Sequence, residues 1–378
     1  MIPRVLIIAG SDSGGGAGIQ ADIKTVTMLG GHAMTAITAI TAQNTLGVQA
    51  VHPVPVDMVV AQMTSVLDDI GVDAVKIGMI GSAATVHAVA DVLEALAVPI
   101  VFDPVMIATS GSVLADADTI AAFARLMRCA TVITPNLPEL AALGGIDAVR
   151  AGGAAILAKG GHAPGDTVSD RLIHADGTER TWSNPRIDTR HSHGTGCTLA
   201  SAIATGLAAG LSLDAAVARG IGFVRIALHE APGLGAGHGP MGHARVRVDS
   251  DLGGLSPNQV TLPATDHAVS FAFYRTLGLT PIVDSAGRYA RFESAAGTTL
   301  SIEAADEIDG RPILFLETAD LDAAVARLRA AEHAVADPVA QSWGWREARV
   351  TDPAGNALCL YTAGEHRRFP PWRLACPD

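Results

Sequence analysis

Short apolar runs alternate with longer stretches whose apolar residues recur every three or four positions, from the start of the chain to about residue 230. Val5–Ile8, Ala74–Ile77, Ile100–Phe102, Thr131–Ile133 and Ala155–Ala158 have the length and unbroken apolar character of buried strands. Ala17–Leu29, Val56–Ile70, Ala83–Leu96, Ala117–Leu126, Cys197–Ala209 and Leu213–His229 carry the helical spacing. Strands without polar alternation need cover on both faces, and intervening helices supply it. The pattern therefore predicts an α/β domain with a mostly parallel sheet. Ligands of such sheets bind beyond the carboxyl ends of the strands.

The pattern changes after Gly233-Leu234-Gly235-Ala236-Gly237-His238-Gly239-Pro240. Beyond it, Val260–Leu262, a helix at Ala268–Leu277 and strands near Pro281–Asp284, Tyr289–Glu293 and Thr299–Glu303 form one unit. Ile313–Glu317, a helix at Leu321–Glu332 and strands near Trp345–Val350 and Ala357–Tyr361 form another. The segments Ala264–Val269 and Thr318–Ala323 occupy equivalent places, which predicts an α+β domain of paired βαβββ modules. Only Phe102, Phe123, Trp182 and Phe223 are aromatic in residues 1–250, and the other eleven aromatic residues lie in 258–378. A composition shift across a Gly/Pro-rich stretch marks a domain boundary. The expected division is a first domain at 1–250, a linker at 251–257 and a second domain with a tail at 258–378.

Hydrophobic residues make up 49% of the 378 positions and charged residues 17%, which excludes a disordered chain. The net charge of −12 excludes a basic nucleic-acid surface. It leaves phosphate ligands open, because helix N-termini hold anions with backbone amides. Cys129, Cys197, Cys359 and Cys376 have neither zinc nor disulfide-framework spacing. Met1–Gly10 is too short an apolar run for a membrane span. The expectation is a cytoplasmic homodimer with small-molecule ligands and no nucleic-acid or membrane partner.

Two Gly-rich turns carry the candidate chemistry. Gly10-Ser11-Asp12-Ser13-Gly14-Gly15-Gly16-Ala17-Gly18 follows a strand and opens a helix. Gly16–Ala21 fits a GxGxxA dinucleotide fingerprint, but no acidic residue closes a second strand at the required distance. No GxxxxGK[ST] is present, which excludes a P-loop. His193-Gly194-Thr195-Gly196-Cys197-Thr198 precedes an apolar helix, where small residues admit a ligand and first-turn amides face an anion. Cys197 at that positive helix end is expected to favour thiolate. A Gly-rich turn that only packs helix against sheet is the plain structural alternative. Lys76-Ile77-Gly78-Met79, Asp103-Pro104-Val105-Met106 and Lys159-Gly160-Gly161-His162 each follow a strand, and Lys76 and Lys159 in uncharged surroundings are candidates for phosphate contact.

These motifs, with Gln43-Asn44-Thr45, Thr134-Pro135-Asn136, Glu139 and the closing Gly239, Pro240 and His243, resemble the hydroxymethylpyrimidine/phosphomethylpyrimidine kinases of the ribokinase-like superfamily over residues 2–243. The resemblance implies a three-layer sandwich and two successive phosphorylations, of the alcohol and then of its monophosphate, with ATP and Mg²⁺. It implies a pyrimidine pocket of Gly10, Asp22, Gln43, Met79 and Val105. The Gln43 carboxamide suits the donor–acceptor edge of an aminopyrimidine. The alternative is that Gln43 caps a local turn. The resemblance also implies phosphoryl transfer at Gly194, Thr195, Gly196 and Cys197 with Lys159. Cys197 would accept or organise the hydroxyl proton. Asp103, Asn136, Lys159 and Thr195 would hold the nucleotide, and Asp103 and Glu139 the metal. One departure is that chain after Glu139 is short, so about one helix is expected to be reduced or lost on the nucleotide side. Rival readings are a pyridoxal or pyridoxine kinase, and a pyrimidine-binding sensor without turnover.

Residues 258–364, through Phe273–Leu279 and Asp352–Asn356, resemble the vicinal-oxygen-chelate superfamily of glyoxalases and bleomycin-resistance proteins. Where metal-dependent members place ligands, this chain has Gln259 and Cys359, with Glu303 as one remaining carboxylate. His267 at a helix start reads as a cap or surface residue. A ligand-binding or structural role is expected ahead of metal-dependent catalysis. The tail Arg367–Arg373 is expected to lie along its own domain.

Overall fold

The computed structural model describes residues 2–107, 111, 114–246, 256–276, 279–294, 297–307, 312–318, 320–351 and 357–374. It divides into two units, Met1–Val246 and Arg247–Asp378. Leu277, Gly278, the Asp352–Asn356 motif, Cys376 and most of the expected linker lie outside the described residues.

In the first unit the elements run β1 (Arg4–Ala9), α1 (Gly18–Met28), β2 (His32–Ile37), β3 (Ala39–Asn44), β4 (Gly47–Pro53), α2 (Val56–Asp69), β5 (Ala74–Ile77), α3 (Ala83–Leu93), β6 (Ile100–Phe102), α4 (Ala117–Cys129) and β7 (Val132–Ile133). They continue with α5 (Leu137–Ala142), α6 (Gly145–Arg150), β8 (Ala155–Ala158), β9 (Thr167–Ile173), β10 (Glu179–Pro185), α7 (Thr195–Ala208) and α8 (Leu213–His229). Eight strands form one sheet in the order β10-β9-β8-β7-β6-β5-β1-β2. It is parallel from β8 to β2, and β9 and β10 add an antiparallel edge.

Alternate residues of each strand feed opposite faces of this sheet. Leu6, Ile8, Val75, Ile77 and Phe102 pack with α2, α3 and α4 on one side. Val5, Ile7, Val101, Leu157 and Leu172 pack with α1, α7 and α8 on the other. Both faces are thus dry, as the unbroken apolar runs require. Outside this sheet, β3 and β4 form a separate antiparallel ribbon. Glu139 lies within the six-residue α5, and the short chain after it adds only the six-residue α6 before β8.

The second unit runs β11 (Ser256–Ala264), α9 (His267–Thr276), β12 (Thr280–Ser285), β13 (Tyr289–Glu293), β14 (Thr299–Ala304), then β15 (Ile313–Glu317), α10 (Leu321–Ala330), β16 (Val339–Ala340), β17 (Arg346–Thr351) and β18 (Ala357–Thr362). The sheet order β12-β13-β14-β11-β15-β18-β17-β16 reads as two copies of one module joined through the antiparallel β11–β15 pair. Within the copies, β11 pairs parallel with β14 and β15 with β18. The paired βαβββ arrangement is therefore present, with β16 as a two-residue strand.

Candidate active site

Every motif that follows a strand of the first unit ends at the same edge of the sheet, where a cleft of about 780 Å³ opens. Among the residues singled out from sequence, Gly10, Gln43, Met79, Val105, Asp103, Asn136, Glu139, Lys159, Gly194, Thr195, Gly196 and Cys197 all line it.

The two Gly-rich turns interlock. Gly194 precedes α7 in the left-handed region at φ 85°, and a Cβ on it would stand 2.0 Å from the Gly16 carbonyl oxygen. Both facts demand glycine. In the first turn the Asp12 carboxylate accepts the amides of Gly14 (2.8 Å), Gly16 (2.9 Å) and Ala17 (2.8 Å). Those amides are consumed internally, so this turn is no phosphate cradle and the dinucleotide alternative lacks its donors. Burial pushes the Asp12 carboxyl up, but His193 and the amides more than offset it and hold it below the usual range. The second turn differs. There the Thr195 amide turns back to the Ser192 carbonyl at 3.4 Å, and the amides of Gly196 and Cys197 belong to the group that a helix leaves without i−4 partners at the start of the 14-residue α7.

Beside that helix start, Lys159 Nζ lies 2.7 Å from Asp103 Oδ1, which also accepts the Thr134 hydroxyl at 3.0 Å. Asp103 follows β6 and Lys159 follows β8, so parallel strand ends set the pair. A Cβ on Gly196 would lie 3.1 Å from Lys159 Nζ and 3.4 Å from Asp103 Oδ2, so the bare glycine lets the turn approach both. Asn136 and Glu139 form a reciprocal capping box at the start of α5, with bonds of 2.8 and 2.9 Å. Burial lifts the Glu139 carboxyl to about 7 against the pull of Lys159, with Asp103 adding to the rise. Arg186, on the same cleft, donates to the carbonyls of Gly161, Ala163 and Gly165 and so fixes the loop after Lys159.

Three expectations need correction. Asp22 is not on the pocket wall: it is fully buried, 2.8 Å from Lys76 Nζ, and accepts the Ser201 hydroxyl at 2.7 Å. Lys76, equally buried in that pair, is not available to a phosphate. Burial lowers the Lys76 ammonium pKa, but the charges of Asp22 and Asp103 reverse this and keep it protonated. Cys197 is not poised as thiolate. Burial pushes its thiol up to about 11; Lys76 and the Gly18 amide pull the other way, while Asp22 and Asp103 add to the rise. The helix-end effect is smaller than the cost of charging a sulfur in that enclosure.

Sequence reasoning assigned no role to Asp12 or His193, although both stand in the quoted turns. His193 Nε2 lies 2.9 Å from the Gln43 amide nitrogen and 3.1 Å from Asp12 Oδ2. Gln43 and the 194–197 turn are thus neighbours, bridged by the residue that precedes Gly194.

In the second unit, Gln259 is buried and accepts the Thr299 hydroxyl at 2.8 Å, Cys359 is buried in an aromatic cluster, and Glu303 is exposed. Among the described residues, no group of three or more His, Cys, Asp or Glu side chains is placed to hold a metal ion. No helix among the described residues is long and apolar enough to cross a membrane.

A doubly covered parallel sheet, with a Gly-rich helix start and a Lys–Asp pair at neighbouring strand ends facing one cleft, is the arrangement of a ribokinase-like small-molecule kinase. The hydroxymethylpyrimidine/phosphomethylpyrimidine kinase of Streptomyces coelicolor is 48% identical over 256 residues, covering 64% of this chain and 94% of that protein. The thiamine biosynthesis multifunctional protein of Corynebacterium efficiens is 43% identical over 261 residues, covering 65% of this chain and 35% of that protein. Among solved structures, the ADP complex of Bacillus subtilis pyridoxal kinase superposes with a TM-score of 0.60 at 32% identity, over 65% of this chain and 98% of that one. Phosphomethylpyrimidine kinase from Clostridium difficile gives 0.51 at 35% identity, over 60% and 98%. Residues 12–242 match the phosphomethylpyrimidine kinase family, and the chain belongs to it. Residues 256–360 match the glyoxalase/bleomycin resistance protein/dioxygenase superfamily.

Proposed function

We propose that the first unit transfers the γ-phosphoryl group of ATP to 4-amino-5-hydroxymethyl-2-methylpyrimidine, and then to the resulting monophosphate, within thiamine biosynthesis. The observation that carries this reading is the adjacency of Gln43 to the helix-end turn through His193, since one small molecule can then touch both. The carboxamide reads the amino and ring-nitrogen edge, while the hydroxymethyl group points to Cys197. Pyridoxal kinases share the scaffold, but a pyridine lacks the edge that Gln43 complements, which favours the pyrimidine. The assembled Lys159, Asp103 and α7 turn favour turnover over passive sensing.

Phosphoryl transfer depends on alignment and charge neutralisation. Lys159 supplies a cation at the transferring phosphate, and the Gly196 and Cys197 amides stabilise the charge that develops there. Asp103 and Glu139 offer hard oxygen donors on the cleft wall and would hold Mg²⁺, which would neutralise charge on the phosphates. The un-ionised Cys197 thiol orients the hydroxyl, and acting as base would require loss of its own proton first. Asn136 and Thr195 complete the nucleotide contacts, and Gly10, Met79 and Val105 the ring pocket.

Mass spectrometry of products from the hydroxymethylpyrimidine and Mg-ATP tests this directly. The expected products are the monophosphate and then the diphosphate; turnover of pyridoxal with none of the pyrimidine would reverse the assignment.

A further inference from the structure

The Gln43 carboxamide sits between two neighbours that each have only one role to offer. Asp12 is buried and held as a carboxylate by three backbone amides, so the His193 nitrogen 3.1 Å from its Oδ2 must carry the hydrogen. That same Nε2–H faces Gln43 across 2.9 Å. At the other end, the Thr41 hydroxyl gives its one proton to the Ser11 carbonyl at 2.8 Å, which leaves lone pairs toward Gln43 at 3.4 Å. With the amide nitrogen on the His193 side, two donors face each other and two acceptors face each other. A half-turn of the terminal amide repairs both contacts: the oxygen shares the one Nε2 hydrogen of His193 with Asp12 in a three-centre bond, and the nitrogen donates to Thr41.

We propose that His193, held by Asp12, is the positioning residue that fixes the Gln43 carboxamide with its oxygen on the His193 side and so determines specificity for an aminopyrimidine edge. One lone pair and one N–H of the amide then remain for the ligand, in a fixed order. They match a ring that carries an amino donor beside an unprotonated ring nitrogen, and a pyridine without a donor beside its nitrogen leaves the carboxamide oxygen unmatched. The same residue precedes Gly194, and its backbone N–H donates to the Gly239 carbonyl at 3.2 Å. The group that orients the ring reader is therefore anchored to the turn that receives the phosphate.

This inference rests on the pyrimidine-kinase reading, and its test separates the two. Steady-state kinetics of the full chain would compare hydroxymethylpyrimidine with pyridoxine for the wild type, His193→Ala, His193→Gln and Gln43→Ala. His193→Ala should raise the KM for the pyrimidine about ten-fold, with a smaller change in kcat and in the KM for ATP. The preference over pyridoxine should fall by the same factor. His193→Gln keeps a donor near the Nε2 position and should recover most of the loss. In the Gln43→Ala background, either His193 change should add almost nothing, a coupling that also decides the matter if His193→Ala fails to fold. Equal losses with both substrates, or independent effects of positions 43 and 193, would overturn the inference alone. Absence of pyrimidine turnover in the wild type would overturn the kinase reading and this inference with it.

Discussion

In the first unit the Lys159–Asp103 pair ends on the wall of an open cleft, whereas in the second the carboxylates of Glu293 and Glu317 end against arginines of the chain's own tail. Arg367 reaches Glu317 at 3.1 Å, and Arg368 and Arg373 both reach Glu293. Strand alternation explains where these groups lie. Phe292, Ala290 and Ile302 face α9, and Leu360 and Ala348 face α10. Their neighbours Arg291, Glu293, Phe315, Cys359 and Tyr361 fall on the opposite face, where Trp345 stacks on Tyr361 at 4.5 Å. The tail packs on its own unit, as the sequence suggested. Buried charge thus faces an open cleft in one unit and is closed over by the chain's own tail in the other. Sequence alone does not separate these uses, because both present as isolated charged residues among apolar ones.

The comparison breaks most sharply where charge is fully sealed. Lys76→Met leaves the Asp22 carboxylate alone in the core and should cost about 3–5 kcal/mol in urea unfolding of the first unit. Pairing it with Asp22→Asn should recover much of that loss, and a null effect of the single change would mean that the pair is hydrated. Next, Gly194→Ala forces a Cβ onto the Gly16 carbonyl at positive φ, and should destabilise by roughly 2–3 kcal/mol while removing most activity. In the second unit, Glu293→Ala removes the carboxylate that Arg368 and Arg373 share and should cost roughly 2 kcal/mol, read as a shift confined to the second unit's unfolding transition. Pyrimidine kinase activity should be unchanged.

The smallest effect concerns Cys197. A thiol that burial holds at about 11 is protonated at neutral pH. Alkylation of the Cys197 peptide by iodoacetamide should therefore be slow at pH 7 and rise steadily from pH 8 to pH 10. A plateau below pH 8 would restore the thiolate.

Elements with strong local signals were legible. The bounds Leu213–His229, Ala74–Ile77, Ile100–Phe102 and Ala155–Ala158 coincide with α8, β5, β6 and β8. The ribbon β3–β4 and the hairpin β9–β10 were not, because their exposed faces carry Gln49, His52, Glu179 and Arg180 and break the apolar runs. The glycine turns marked the strand ends where the cleft opens, and its lining residues followed from the family resemblance. Asp12 and His193 stayed hidden because their contact joins residues 181 positions apart. Lys76 and Lys159 look alike in sequence, each a lone lysine near the end of an apolar run. Only the packing of α1 and α7, which carry Asp22 and Ser201, seals one and leaves the other at the cleft.

The central claim is that the 194–197 turn performs transfer while Gln43 holds the ring, and Cys197→Ala separates these roles most directly. Product formation by mass spectrometry should fall at least about 100-fold. Calorimetric titration with the pyrimidine should give a Kd within about three-fold of the wild type. Undiminished product formation, or loss of pyrimidine binding in step with turnover, would contradict the account.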